Sequence, residues 1–433
     1  MSDIAYPMVK PTLYVSLGNE ILADDGIMDF TFTSDENTFL PTAKLQYNDS
    51  NGNLLTRFKN ISIGSSTTLG VKDTSANSNG KTYAFLNMVI GAIGGDISDI
   101  TTSKNTLELI FNHPWVLNKD LSVHAYYGSP NSEIIKGIIE DTSNRNFKFA
   151  DIDSNYWEDS DESGKIPRYK VESDYDFILK KLLTVTTIGG KPITFFVDDK
   201  NVPKLSCFTK MFAQSPVALL IPSDTSTTEE YATQISKIVT NCNNTIIPVS
   251  SAAMKIGNEN TQRVIETLKS TICYDDPHYN KSFIGTLSPK VSISAENGEN
   301  VTGGKIPVSL EAMVNTNTTD NKYFRNRCIS DQVSMSINTE SIFNEMFTIK
   351  VLTAFCGNLV SVGQNINLFI PPCKKGSIAG LNHWMNGKWH IQAITHRREG
   401  GDMGSVLTLI RPSFQINKKN TTILLPDAFY GVM

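Results

Sequence analysis

Short runs that alternate apolar and polar residues, each closed by turn-forming residues, constrain this chain more than any other feature. Ile27–Thr33 reads Ile-Met-Asp-Phe-Thr-Phe-Thr, the period-two pattern of a half-buried strand. Thr12–Leu17, Ala43–Tyr47, Leu54–Ile63, Thr106–Phe111, Leu121–Tyr127 and Glu133–Ile139 are read as further strands. Asn48-Asp49-Ser50-Asn51-Gly52-Asn53 is a hairpin-loop signature, because Asn, Asp and Gly tolerate the positive φ of tight turns. Ser65–Lys81, polar and rich in Gly, Ser, Thr and Asn, reads as a mobile loop. Regularly spaced short strands of this kind build a small antiparallel barrel or sandwich.

The pattern then changes. Ser173-Asp174 opens a segment whose Tyr175, Phe177, Ile178, Leu182 and Leu183 fit an amphipathic helix, with Ser173 or Asp174 as N-cap. Ile193–Val197 and Lys204–Phe208 follow as a hairpin across Asp198-Asp199-Lys200-Asn201. Thr227–Thr240 reads as a helix with Ile235, Ile238 and Val239 on one face, and Asn258–Ile272 as another. Asn297–Gly304 and Asn315–Asn321 read as polar loops, and Ile342–Phe347 as a weak helix. Strands return at Phe347–Phe355, Ile366–Ile370, Trp389–Thr395 and Val406–Leu409, before an apolar tail, 415–433.

The expected fold is therefore mainly β with α+β: two small antiparallel β-barrels flanking a mixed α/β middle region. The expected boundaries are an N-terminal barrel at 1–148, a helix-plus-hairpin unit at 149–222, an irregular middle at 223–340, and a C-terminal barrel with its tail at 341–433. A chain of 433 residues suits about three domains at roughly 150 residues each.

Composition narrows the function. Hydrophobic residues at 40% and charged residues at 19% both lie below the usual values of about 45–50% and about 25%. Asn, Ser and Thr fill the difference. A net charge of −5 offers no basic field for a phosphate backbone, so specific nucleic-acid binding is not expected. No apolar run approaches the length of a membrane span, and the first residues have no secretory pattern. The chain reads as soluble, made inside a cell, and without a membrane partner.

The chemistry is sparse. Six separated cysteines contain no Cys-x-x-Cys pair and read as reduced, mostly buried thiols. Of six histidines, His383, His390 and His396 lie close in sequence. On one strand His390 and His396 would share a face about 20 Å apart, too far for a common metal ion. The stretch from Asp151 to Glu162 places Asp151, Asp153, Asn155, Trp157, Asp159 and Glu162 at the ligand positions of an EF-hand-like frame, but Tyr156 stands where the turn glycine belongs. It reads as a solvated acidic linker. Gly91–Gly95 lacks the Lys-Ser/Thr ending of a phosphate loop. No catalytic constellation, metal or cofactor is expected.

Two stretches carry a resemblance. One is Glu172-Ser173-Asp174-Tyr175-Asp176-Phe177 leading into Ile178–Leu183, then the Ile193–Val197 hairpin. The other is Gly387-Lys388-Trp389-His390-Ile391-Gln392-Ala393-Ile394-Thr395-His396, followed by Val406–Pro412. Together they resemble the central baseplate hub of contractile phage tails, the late-control-D family shared with type VI secretion spikes. The resemblance implies a virion protein made in the host cytoplasm. It implies a homotrimeric ring with two similar barrels per protomer, joining the hexameric tail tube to a trimeric central spike. Other baseplate wedge proteins and a tape-measure protein are further implied partners. A mildly acidic lining would let a genome pass through such a ring. Asp174 and Phe177, with Trp389, His390 and His396, are the interface residues on this reading. No lysozyme-like segment and no spike repeat follows residue 411, so the spike would be a separate chain. The competing readings are a cell-wall-degrading tail enzyme, which would need His383, His390 or clustered carboxylates at a cleft, and a receptor-binding tail protein.

Overall fold

The computed structural model describes residues 4–18, 20–49, 63–97, 105–117, 124–126, 129–143, 148–160, 166–168, 173–183, 187–188, 191–223, 232–255, 271–276, 281–292, 309–316, 347–370 and 386–411. The architecture is mainly β, as the alternating runs imply.

The N-terminal strands are β1 (Pro11–Leu17), β2 (Glu20–Ile21), β3 (Ile27–Asp35), β4 (Thr42–Asp49), β5 (Ser66–Asp73), β6 (Thr82–Ile97) and β7 (Asn105–Asn112). They pair antiparallel in the order β3-β4-β7-β6-β5-β1-β2. Inward residues such as Phe30, Phe32, Leu45, Leu69, Val71, Phe85, Leu109 and Phe111 form one apolar cluster. The polar stretch read as a mobile loop contains β5, whose Leu69 and Val71 face that core while Thr68 and Lys72 face out. Its Ser, Thr and Gly content hid a real alternation. The glycine-rich Gly91–Gly95 lies within β6.

A middle region follows. β8 (His124–Tyr126) pairs with β9 (Ile166–Arg168), and between them lies α1 (Asn131–Ser143). The strand expected at Glu133–Ile139 is this helix. Ile134, Ile135, Ile138 and Ile139 are buried, and their spacing is that of a helical stripe. The expected helix at Ser173 is present as α2 (Asp174–Phe177), which widens into a π turn at Ile178–Leu182. Ser173 is the N-cap: its hydroxyl accepts from the Asp176 amide at 3.0 Å. The short β10 (Thr187–Ile188) pairs with β11 (Lys191–Val197). β11 and β12 (Pro203–Cys207) form the expected hairpin, and α3 (Phe208–Ala213) follows it. Phe195 and Val197 join Trp115, Ile135, Phe149 and Phe177 in the middle core. Phe196, pointing the other way, enters the core of the C-terminal unit.

That unit uses β13 (Pro216–Pro222), α4 (Ala232–Thr240), β14 (Ile246–Lys255), β15 (Thr271–Asp276), β16 (Lys281–Ser292), β17 (Ser309–Thr316), β18 (Phe347–Ala354), β19 (Asn365–Leu368), β20 (Gly387–Glu399) and β21 (Asp402–Arg411). Six strands close into a barrel, β19-β13-β14-β18-β21-β20 and back to β19. The structure refines the antiparallel expectation, since β13 runs parallel to both β14 and β19. Ala218 and Leu220 point into the barrel, and Leu219 and Ile221 point out beneath Ile235, Ile238 and Val239 of α4. Burial on both sides explains why β13 is apolar throughout. β15, β16 and β17 form a separate antiparallel sheet in the excursion between β14 and β18. Thr271-Ile272, expected to end a helix, begins β15; Asn315-Thr316 ends β17; Phe347 begins β18. The remaining residues of those segments, with 54–62, 297–304 and 415–433, lie outside the described residues.

Candidate functional site

The β20–β21 hairpin belongs to both β units. Its base lies in the closed barrel, with Trp389, Ile391, Leu407 and Leu409 facing the interior. Its far half leaves the barrel and pairs with β3, from Ala393 opposite Asp35 to Glu399 opposite Asp29. An extra residue at Gln392 separates the halves, because Ile391 pairs with Leu409 and Ala393 with Thr408. This bulge corrects the expectation that His390 and His396 share a face. His390 pairs with Ile410 and His396 with Ser405, an odd offset along β21, so the two rings point to opposite faces.

His390 is fully buried. Its Nε2 lies 2.6 Å from Glu36 Oε1, and its Nδ1 lies 3.0 Å from Asn365 Oδ1. The Asn365 amide donates to the carbonyls of Met211 at 2.7 Å and Gln214 at 2.8 Å, which fixes its oxygen as the acceptor. His390 therefore donates from Nδ1, and its Nε2 faces the Glu36 carboxyl. Both ring nitrogens are committed. This ring ties the β3–β4 loop to β19, β20 and the end of α3, and it leaves no nitrogen for a substrate or a metal.

The β3–β4 loop also reaches the middle region. The Phe39 carbonyl accepts from the Val197 amide at 2.8 Å, the Thr38 carbonyl accepts from the Tyr175 hydroxyl at 3.2 Å, and Leu40 joins the middle core. Phe39 adopts φ 64°, a left-handed value that costs a non-glycine residue about 1–3 kcal/mol and persists only where its surroundings hold it.

A second polar knot lies at the β11–β12 turn. Asp198 Oδ1 accepts from the amides of Lys200 and Val202, both at 2.9 Å, and Oδ2 pairs with Lys204 Nζ at 3.1 Å. Lys204, 3% exposed, also donates to the Val362 carbonyl at 2.6 Å and lies over the Tyr156 ring. Asp199 accepts from the Tyr83 hydroxyl of β6 at 2.7 Å. Burial, then the charge of Asp198, pushes the Asp199 carboxyl up to about 6. Burial likewise holds the Tyr83 hydroxyl well above its ordinary range. Sequence reading treated these aspartates as turn formers only. The available signal was Lys204, a lysine in an otherwise unbroken buried strand.

His396 sits among Phe32, Phe85 and Phe355, with ring centroids 6.1, 5.5 and 4.8 Å away. Its Nδ1 lies 2.8 Å from Ser405 Oγ, and burial depresses its basicity to about 3. A Cβ on Gly357 would stand 2.8 Å from Nε2, so only glycine fits there. His113 bridges the end of β7 to Asn201, accepting from the Trp115 amide at Nδ1 and facing Asn201 Oδ1 at 3.2 Å; burial lowers it to about 4.

The acidic stretch is not a solvated linker. Tyr156 is buried, Trp157 bridges to Leu205, and the Glu158 amide donates to the Leu205 carbonyl at 2.8 Å. Glu158 Oε2 accepts from the Cys207 amide at 2.7 Å and from the Ser206 hydroxyl. Asp153 caps a short 3-10 turn. The segment is a strap along the free edge of β12. Two of its carboxylates, Asp153 and Glu158, accept from backbone amides, and among the described residues no three metal-capable side chains converge. Asp161 and Glu162 lie outside the described residues, as do His278 and His383.

Asp174, Phe177, Trp389, His390 and His396 are all buried within the chain. The structure places the last three on one hairpin, and Asp174 and Phe177 together on α2. Cys207, Cys242 and Cys356 are buried free thiols. Among the described residues no helix is long and apolar enough to cross a membrane.

Neither a family model nor a curated protein sequence matches this chain. Its fold is nevertheless shared. A tail protein from Neisseria meningitidis MC58 superposes with a TM-score of 0.52 at 9% identity, over 93% of this chain and 96% of that one. The 43 kDa tail protein of prophage MuSo2 from Shewanella oneidensis superposes at 0.50 and 9% identity, over 93% of this chain and 99% of that one. The class defined here is a mainly β protein with a closed six-stranded barrel, a joined open sheet and a mixed middle, a fold found in phage tail proteins.

Proposed function

We propose that this chain is a structural component of a phage tail, and specifically the hub that joins a hexameric tail tube to a trimeric central spike as a homotrimeric ring. The observation that carries the reading is the fold shared with two tail proteins along nearly their whole length. The joint adds physical support. A hub must hold two β units at a fixed mutual angle, and here a continuous hairpin, a shared ladder to β3 and two buried polar knots do so. Among the described residues, His113, His390 and His396 and the carboxylates of Glu36, Asp198 and Asp199 are engaged in that scaffold.

On this reading Asp174, Phe177, Trp389, His390 and His396 support the assembly surfaces from beneath rather than forming them. Tube, spike, wedge and tape-measure proteins would meet the outward faces of the sheets, and the protein would reside in the virion. Light scattering on the purified chain, alone and with candidate tube and spike proteins, tests the proposal. A mass three times that of one chain, or a complex containing three copies, is expected. A monomer that remains monomeric beside both partners overturns it.

A further inference from the structure

Asp199 is a carboxylate held where a charge is costly. It is fully buried on the β11–β12 turn beside Asp198, and its Oδ1 has no hydrogen-bond partner among the described residues. Its Oδ2 receives the Tyr83 hydroxyl from β6, so this side chain is a direct polar contact between the turn and the N-terminal sheet, alongside that of Asn201 with His113. The groups that face it are Tyr83 from β6, Asp198, Lys200 and Lys204 from the hairpin, and the Cys356 thiol from the turn after β18. Lys204 does not neutralise it, because its ammonium is engaged by Asp198 and the Val362 carbonyl. Of the two adjacent buried carboxylates, only Asp198 has a close ion pair among the described residues.

We propose that Asp199 is a proton-operated latch on the joint between the two β units: protonated, it lets the turn stay buried beside Asp198 and the end of β18, and ionised, it places a second negative charge beside Asp198 and loosens that seat. The inference stands apart from what the chain assembles with. The direction follows from the upward displacement of the carboxyl, from 3.8 to about 6. The native state keeps the proton that the unfolded chain releases, so the benefit is complete below about pH 4 and is lost as pH rises to about 6. His113 and His396 titrate in the opposite sense, so the latch is read as a difference between proteins.

The test compares unfolding of the intact chain and its Asp199→Asn variant from about pH 4 to about pH 7. The ratio of their unfolding constants should change by about a hundredfold across that range, in favour of Asn at neutral pH. A ratio that does not vary with pH overturns the proposal. Tyr83→Phe removes the donor that favours ionised Asp199, and should move the pH-dependent step upward; no movement counts against the latch. Hydrogen exchange of the unaltered protein needs no variant. Peptides covering 195–207, corrected for intrinsic rate, should exchange faster relative to peptides of β20 as pH rises through 6, and an unchanged ratio overturns the idea.

Discussion

The closed barrel and the open N-terminal sheet reach similar burial by different routes. The barrel gathers strands from 216–222, 246–255, 347–368 and 387–411, includes parallel pairs, and satisfies every strand edge by closing. The N-terminal sheet is entirely antiparallel and drawn from the single stretch of residues 11–112. Yet the local one is not self-sufficient. Its core includes Phe355 and Met403, and β3 finds its second neighbour in β20. Locality in sequence therefore does not measure independence in the fold. The barrel lends its longest hairpin to a sheet that cannot finish itself.

The largest test of that contrast is excision. Residues 1–128 expressed alone should show no cooperative thermal transition, because they lack Phe355, Met403 and the β20 edge. A sharp melt of that fragment would break the comparison. Next, Trp389→Ala empties a fully buried site at the hairpin base. It should cost about 3–5 kcal/mol in denaturant unfolding and weaken both units together. Loss of the barrel signal alone would mean that the units are uncoupled.

Lys204→Met should cost about 3–5 kcal/mol, because it leaves Asp198 buried without its cation. The pH dependence comes next. His396 and His113, depressed to about 3 and about 4, stay neutral in the native state while the unfolded chain binds protons near 6.5. The stability this gives is present above about pH 6.5 and is lost as pH falls toward 4 and 3. His396→Leu should flatten its share of that slope in a series of melting temperatures, and an unaltered slope would remove the histidine from the account. Smallest of all is Lys44→Ala on the outer face of the open sheet. Its pair with Glu108 is 48% and 37% exposed, and removal should shift stability by about 0.2–1 kcal/mol. A larger loss would show that the outer face of this sheet bears load.

Much of the fold was legible because its signals are local. Alternation marked β1, β3, β4 and β7, and the Asp198–Asn201 turn marked the β11–β12 hairpin. Two errors were also local. The isoleucines of α1 suggested a strand by residue type, although their spacing was helical; β5 looked like a loop because Ser, Thr and Gly carried its outward positions. The joint was not legible for a different reason. A single bulge residue, Gln392, reversed the facing of everything beyond it, and the partners of His390 lie at Glu36 and Asn365, far along the chain. The Asp199–Tyr83 contact spans 116 positions, and no spacing rule reaches across that distance.

The first described residues run along the C-terminal unit before entering β1. Ala5 exchanges backbone hydrogen bonds with Asn244 and Ile246, and the Met8 amide donates to the Phe355 carbonyl at 3.3 Å. On a ribosome this segment emerges long before its seats at 244–246 and 355 exist. Residues 5 and 8 must wait unpaired until residues 244–246 and 355 have been made. Contacts of such long range slow folding. This seam therefore cannot close until both of the segments that seat it, 244–246 and 355, have been made.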